Sequence, residues 1–233
     1  MNLTIARLTA LALLGRKRVL LLIPMPALLI GLTLIANATP ASIEDWGPIV
    51  FGQLGLAVIL PLTALVIGSS VIGLEIEDGT ITHLLTKPLP REEIVLAKLA
   101  VAWAVCVAAA AVPIAVAGAV TGSAGLAARL GLGATVSALA YSAVFLALSL
   151  VTRRPVAVGL VYIILWENLL TRFVDGTRVL SIRQYAASLT NASWLPTHLA
   201  PVTATILAVL ITLAATITAT ARLRSFSLSG ETS

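Results

Sequence analysis

Apolar residues run through this chain in stretches long enough to cross a bilayer, and only short polar connectors separate them. Backbone inside hydrocarbon must satisfy its own N–H and C=O groups, so such stretches fold as helices or as a closed barrel. Barrel strands show about ten residues of alternating polarity. These runs are continuous and much longer, so helices are expected. Hydrophobic residues make up 59% of the sequence and charged residues only 11%, against about 25% charged in soluble domains. With a mean hydropathy of +1.04, the chain reads as an all-α, polytopic membrane protein.

Six spans are predicted: Val19–Ala36, Ile49–Leu74, Ile94–Val120, Gly131–Val151, Val156–Leu170 and Val202–Ala221. The fifth is short for a full crossing. Orientation follows from the placement of Lys and Arg. With the N-terminus inside, one side receives Arg7, Arg16, Lys17, Arg18, Lys87, Arg91, Lys98, Arg153, Arg154, Arg222 and Arg224. The other receives Arg129, Arg172, Arg178 and Arg183. Both termini are therefore expected in the cytoplasm. Residues 1–15 read as an amphipathic helix on the inner surface. The small-x-small run Ala36-Asn37-Ala38 leaves a cleavable leader as the alternative.

Several function classes fall away. The basic residues bracket spans and form no patch for nucleic acid. Cys106 is the single cysteine, which excludes an internal disulfide. His83 and His198 stand far apart, no Ser/His/Asp set appears, and Glu75 and Glu77 diverge on a helix. Neither a catalytic nor a metal site is expected. The sequence holds no Gly-Lys-Ser/Thr, hence no P-loop.

Helix packing leaves its own marks. Small-residue stripes run along Ala100, Ala104 and Ala108, and along Ala204, Ala208, Thr212 and Thr216. Pro24, Pro26, Pro61 and Pro113 should kink their helices. Beyond the fifth span, Val179, Ile182, Ala186 and Leu189 recur at helical spacing, and Ser181 with Gln184 has the form of a capping box. These predict a short amphipathic helix on the outer surface, with Tyr185 and Trp194 in the interface belt.

Two places carry charge into the apolar regions. Glu167 is the only carboxylate inside a predicted span, about 18 Å along the helix from Pro155 and nearer the outer leaflet. It reads either as an interface carboxylate paired with Arg172 or Arg178, or as a substrate or gating group. The other place is the connector between the second and third spans. Asp78 or Thr80 can cap a stub helix over Ile81–Thr86, and Pro88 ends it. Pro90 restarts the chain with Glu92 and Glu93 in the first turn. The stub offers His83, Leu84 and Leu85 to a partner's hydrophobic cleft.

The run Glu75-x-Glu77-x-Gly79-Thr80-x-x-x-Leu84-Leu85-x-x-Pro88-x-x-Arg91, followed by Lys98, resembles the signature of ABC-two type permeases, the membrane subunits of a class of ATP-binding-cassette exporters. The resemblance implies a single permease domain over residues 1–233 in the bacterial plasma membrane. It also implies a second permease copy or homologue and two ABC ATPase subunits that bind the ATP, with no cofactor on this chain. Gly79–Leu85 would be the coupling helix. Glu75, Glu77 and Asp78 before it, with Arg91 and Lys98 after it, would make polar contacts at the base of the spans. Gln53, Pro61, Tyr162 and Glu167 would be candidates for the substrate path. The cargo implied is drug-like, lipid or otherwise amphipathic. An ion-coupled carrier or channel using Glu167, and a non-transporting scaffold, remain the alternatives.

Overall fold

The computed structural model describes residues 24–77, 90–171, 175–195, 197 and 199–228. Helix α1 is Pro24–Asn37. Helix α2 joins Ile43–Gly47, a π-helical stretch Pro48–Ile59 and Leu60–Glu77. Helix α3 joins Arg91–Cys106, π-helical Val107–Ala111 and Val112–Val120. Helix α4 is Ala124–Val151. Helix α5 joins Pro155–Val161 to π-helical Tyr162–Leu170. A 3-10 turn over Asp175–Leu180 leads to helix α6, Ile182–Thr190, and α7 is Pro201–Leu228.

The chain is all-α and polytopic, but the six predicted spans are corrected to four. Among the described residues, four helices are long and apolar enough to cross: Ile43–Gly73, Arg91–Val120, Ala124–Val151 and Pro201–Ser225. The first and fifth predicted spans become the shorter apolar helices Pro24–Asn37 and Pro155–Leu169. At 1.5 Å per residue each rises only about 21–22 Å, against a hydrocarbon core of about 30 Å. Pro155 starts α5 directly after Arg153-Arg154, and a 3-10 turn follows close behind it. The amphipathic helix expected over residues 1–15 and the stub helix over 81–86 lie outside the described residues.

Helix α4 is the hub, packing on α2, α3, α6 and α7. Its turn from α3 is tight. Gly122 takes φ +80, the left-handed geometry that glycine adopts without a Cβ clash. Ser123 then caps α4 by accepting from the Leu126 N–H. Arg224 pairs with Glu92, so the end of α7 meets the start of α3. Arg91, Arg153, Arg154, Arg222 and Arg224 make this the basic end of the bundle. At the opposite end Asn37 donates to the Val120 carbonyl and Arg129 to that of Asn191.

The π-helical stretches of α2 and α3 have a covalent cause. Each ends two residues before a proline, Pro61 or Pro113. Proline lacks an N–H and crowds the carbonyl four residues back. The preceding turn widens, and the amides of Leu60 and Val112 reach back five residues, to Gly55 and Val107. The predicted kinks at these two prolines are thus local unwindings.

The stripe Ala204 and Ala208 is buried, as close approach of α7 to α4 requires. The stripe on α3 does not pack within the chain: Ala104 and Ala108 are exposed, and Val101, Ala102 and Cys106 face the core instead. Much of α7 faces outward, and Thr205, Thr212, Thr216, Thr218 and Thr220 each return a hydroxyl bond to the carbonyl four residues back. Polar atoms on an outward face are thereby satisfied inside the helix.

Candidate functional site: a carboxylate at mid-height

One face of α4 carries Arg129, Gly133, Ser137, Tyr141 and Phe145, four residues apart and so aligned along the helix. Starting from the basic end, the segment 155–191 climbs this face. The Tyr162 ring meets Phe145 edge-on at 6.2 Å. Glu167 lies beside Tyr141. Ser137 donates to the Ile182 carbonyl at 3.5 Å. A Cβ on Gly133 would stand 2.6 Å from the Ala186 carbonyl, and Arg129 reaches Asn191. Two short helices in series therefore cover a height that neither covers alone. Ser137 stands at the middle of the 28-residue α4, so the junction between α5 and α6 lies at mid-height. Glu167 sits there.

The Glu167 side chain is fully buried and accepts at both oxygens. Oε1 takes the Tyr162 hydroxyl at 2.9 Å and the Ile182 N–H at 3.0 Å. Oε2 takes the Ser181 hydroxyl at 2.5 Å and the Arg183 N–H at 3.4 Å. The first amides of a helix have no partner of their own, and the helix dipole favours negative charge beside them. Glu167 therefore caps α6 from fifteen residues upstream. Ser181 relays the cap, donating to Glu167 while accepting from the Gln184 N–H. Only half of the expected capping box forms, because Gln184 Oε1 is buried without a hydrogen-bond partner among the described residues.

Local geometry brings Tyr162 to Glu167. Five residues subtend about 140° on an α-helix, which would turn the two side chains apart. Over Tyr162–Leu170 the helix is π-helical, so residues five apart stack. Asn168 uses the same spacing to donate to the Ile163 carbonyl at 2.9 Å. Around the carboxylate, Tyr141 stacks on Phe145 at 5.9 Å. Its buried hydroxyl has no hydrogen-bond partner among the described residues. Arg178, an expected ionic partner, directs Nε to the Thr171 carbonyl at 2.9 Å; Arg172 lies outside the described residues.

Helix α6 is amphipathic as expected, but it does not lie on the surface. Ile182, Tyr185, Ala186 and Ala187 are buried, and the helix packs between α4, α7 and the π-helical part of α2. Tyr185 is not a belt residue. Its hydroxyl donates to the Val179 carbonyl at 2.7 Å. Trp194 is half-buried on Phe51, with ring centroids 5.8 Å apart, and lies over Gly47.

Of the substrate-path candidates, Tyr162 and Glu167 are brought together. Gln53 is exposed on α2 and Pro61 is buried in it. Of the connector residues, Asp78, Gly79, Thr80, His83, Leu84, Leu85 and Pro88 lie outside the described residues. Glu75 and Glu77 fall in the last turn of α2. Lys98 is fully buried and its Nζ donates to the Val71 carbonyl at 2.9 Å, tying α3 to α2 near the basic end. Arg91 is half-buried, with Nη1 lacking a hydrogen-bond partner among the described residues. Sequence reasoning missed Ser181 and Tyr141 as neighbours of Glu167. A helix-cap serine soon after an apolar-embedded acid was the available signal for the first.

Among the described residues no group of three or more His, Cys, Asp or Glu could hold a metal ion. No curated protein matches the chain. The family described as "ABC-2 family transporter protein" matches residues 14–171, from before α1 to the end of α5. A multi-pass membrane protein of this family is consistent with a bacterial plasma-membrane location, and membership implies pairing with an ABC ATPase. The match takes in well over half of the sequence, and the chain belongs to the ABC-2 family of membrane transporter proteins.

Proposed function

We propose that the chain is the permease subunit of an ATP-driven exporter, working as one half of a permease dimer and driven by separate ATPase subunits. The cargo class that fits is drug-like, lipid or otherwise amphipathic. Beyond the family, one observation carries this reading: the two buried charges of the described bundle, Lys98 and Glu167, are both engaged within the fold. A carrier coupled to an ion through Glu167 would need that acid to exchange its partners during each cycle. Here four donors hold it as a helix cap. With no P-loop in the sequence, the energy source is assigned to a partner.

Transmission to that partner is assigned to Glu75, Glu77, Asp78, Gly79, Thr80, His83, Leu84, Leu85 and Pro88, with Arg91 and Lys98 behind them. The excess of Lys and Arg places the basic end in the cytoplasm, where this connector would meet the ATPase. Reconstitution in liposomes tests the reading. Together with an ABC ATPase partner, the chain should show vanadate-sensitive hydrolysis and move an amphipathic dye. Replacing Leu84 and Leu85 by Asp should abolish both while insertion persists. Dye movement by the isolated chain, lost on Glu167→Gln, would overturn it in favour of ion coupling.

A further inference from the structure

The geometry points to a carboxylate-binding seat at mid-height of the bundle, which the chain fills with its own Glu167 and which locks α5 and α6 into one membrane-deep element. Four donors from two segments converge on it: the Tyr162 and Ser181 hydroxyls and the Ile182 and Arg183 amides. A fifth hydroxyl, that of Tyr141 on α4, is completely buried beside the carboxylate and lacks a hydrogen-bond partner among the described residues. All five groups can donate, and the two amides can only donate. A neutral apolar side chain in this place removes the acceptor from all four, of which the Ser181 hydroxyl and the Ile182 amide are buried. A carboxamide presents one oxygen and one NH2, so half of it opposes the donors around it. The seat thus selects a two-oxygen acceptor, and Glu167 is its built-in ligand.

The lock matters because of length. Neither α5 nor the nine-residue α6 covers the bilayer alone. The join between them contains the 3-10 turn Asp175–Leu180. Glu167 reaches across that turn from the end of α5 to the first amides of α6. Releasing the carboxylate frees the start of α6, and the buried face of α6 then loses its register on Gly133 and Ser137. This inference is independent of what the protein transports and of what drives it.

Chemical rescue tests it. Ser188 is buried on α6, so a Ser188→Cys thiol in the full chain, in nanodiscs, reports its seating through labelling by a water-soluble maleimide. In a Cys106→Ala background the reporter should label slowly. Adding Glu167→Ala should raise the rate roughly tenfold or more, as a local opening of α6 would. Acetate in the tens-of-millimolar range should return it toward the parent rate, whereas equal acetamide or chloride should not. Glu167→Gln should label fast and respond to neither. If Glu167→Ala does not accumulate, Tyr162→Phe removes a single donor and should give a smaller rise without acetate rescue. Slow labelling in Glu167→Ala or Glu167→Gln would overturn the proposal. So would equal rescue by acetamide, or an unchanged rate in Tyr162→Phe.

Discussion

The bundle buries two charged side chains, and their surroundings differ in an instructive way. Lys98 sits two turns into α3 near the basic end, and its ammonium meets a carbonyl of α2, that of Val71. Glu167 sits at mid-height and meets two amides in the first turn of α6. Each charge lies toward the helix end of opposite polarity, the carbonyl end for the cation and the amide end for the anion. They differ in depth and in who depends on whom. Lys98 has a long, flexible stem and lies two turns from the start of α3. Ser181 serves the Gln184 amide, and among the described residues the two amides before it are met by Glu167. Equal burial therefore accompanies a single tie between two helices in one place and a structural keystone in the other.

The largest effect expected from breaking this comparison is at Glu167. Glu167→Leu should cost about 3–5 kcal/mol, because it strands several buried donors at once. Thermal unfolding in detergent should show the loss, and Glu167→Asp should recover only part of it, being one methylene short. Next comes Gly133, where α4 and α6 touch backbone to backbone. Gly133→Ala puts a methyl against the Ala186 carbonyl and should cost about 1–3 kcal/mol. Combined with Glu167→Leu, its penalty should shrink, since α6 has already been released. A double-mutant cycle measures that coupling.

Lys98 should behave in the opposite manner. Lys98→Met keeps the volume and removes the charge, and such replacements of buried ions are often near neutral in stability. Unfolding should shift by less than about 1 kcal/mol, while ATPase stimulation by the permease falls at least severalfold. A large loss of stability at Lys98 would erase the contrast with Glu167. The smallest effect is at the Glu92–Arg224 pair, where both side chains are 62% exposed. Arg224→Gln should stay within about 0.5 kcal/mol, and the change should vanish in high salt.

The legibility of these features in the sequence follows from their range. Four spans were readable because hydropathy over twenty residues is a local property. The widened turns before Pro61 and Pro113 were foreseeable as kinks, since proline acts on its own helix. The fifth helix misled because apolar composition alone does not mark where a crossing ends. In α5 the run from Pro155 to Leu170 is oily enough for a span, yet the chain turns and finishes the climb through α6. Ser181 is legible as a cap, but the capping-box pattern points to Gln184, within the same helix, as its partner. The actual partner lies fourteen residues upstream, reached only because the π-helical end of α5 turns Glu167 toward α6. No local pattern encodes that, and the π-helical stretch of α5 has no proline behind it. The stripe on α3 was read correctly as small residues, but sequence does not say which face meets the core.

Hydrogen exchange at the Ile182 and Arg183 amides tests the central claim most directly. These amides open α6, so no carbonyl of that helix protects them, and among the described residues the Glu167 oxygens accept from them. In the parent chain in nanodiscs both should exchange slowly, at least as slowly as the Ser123-capped Leu126 amide, and in Glu167→Ala that protection should collapse while the core of α4 keeps its own. Rapid exchange at both positions in the parent, or protection that survives without the carboxylate, would contradict the account.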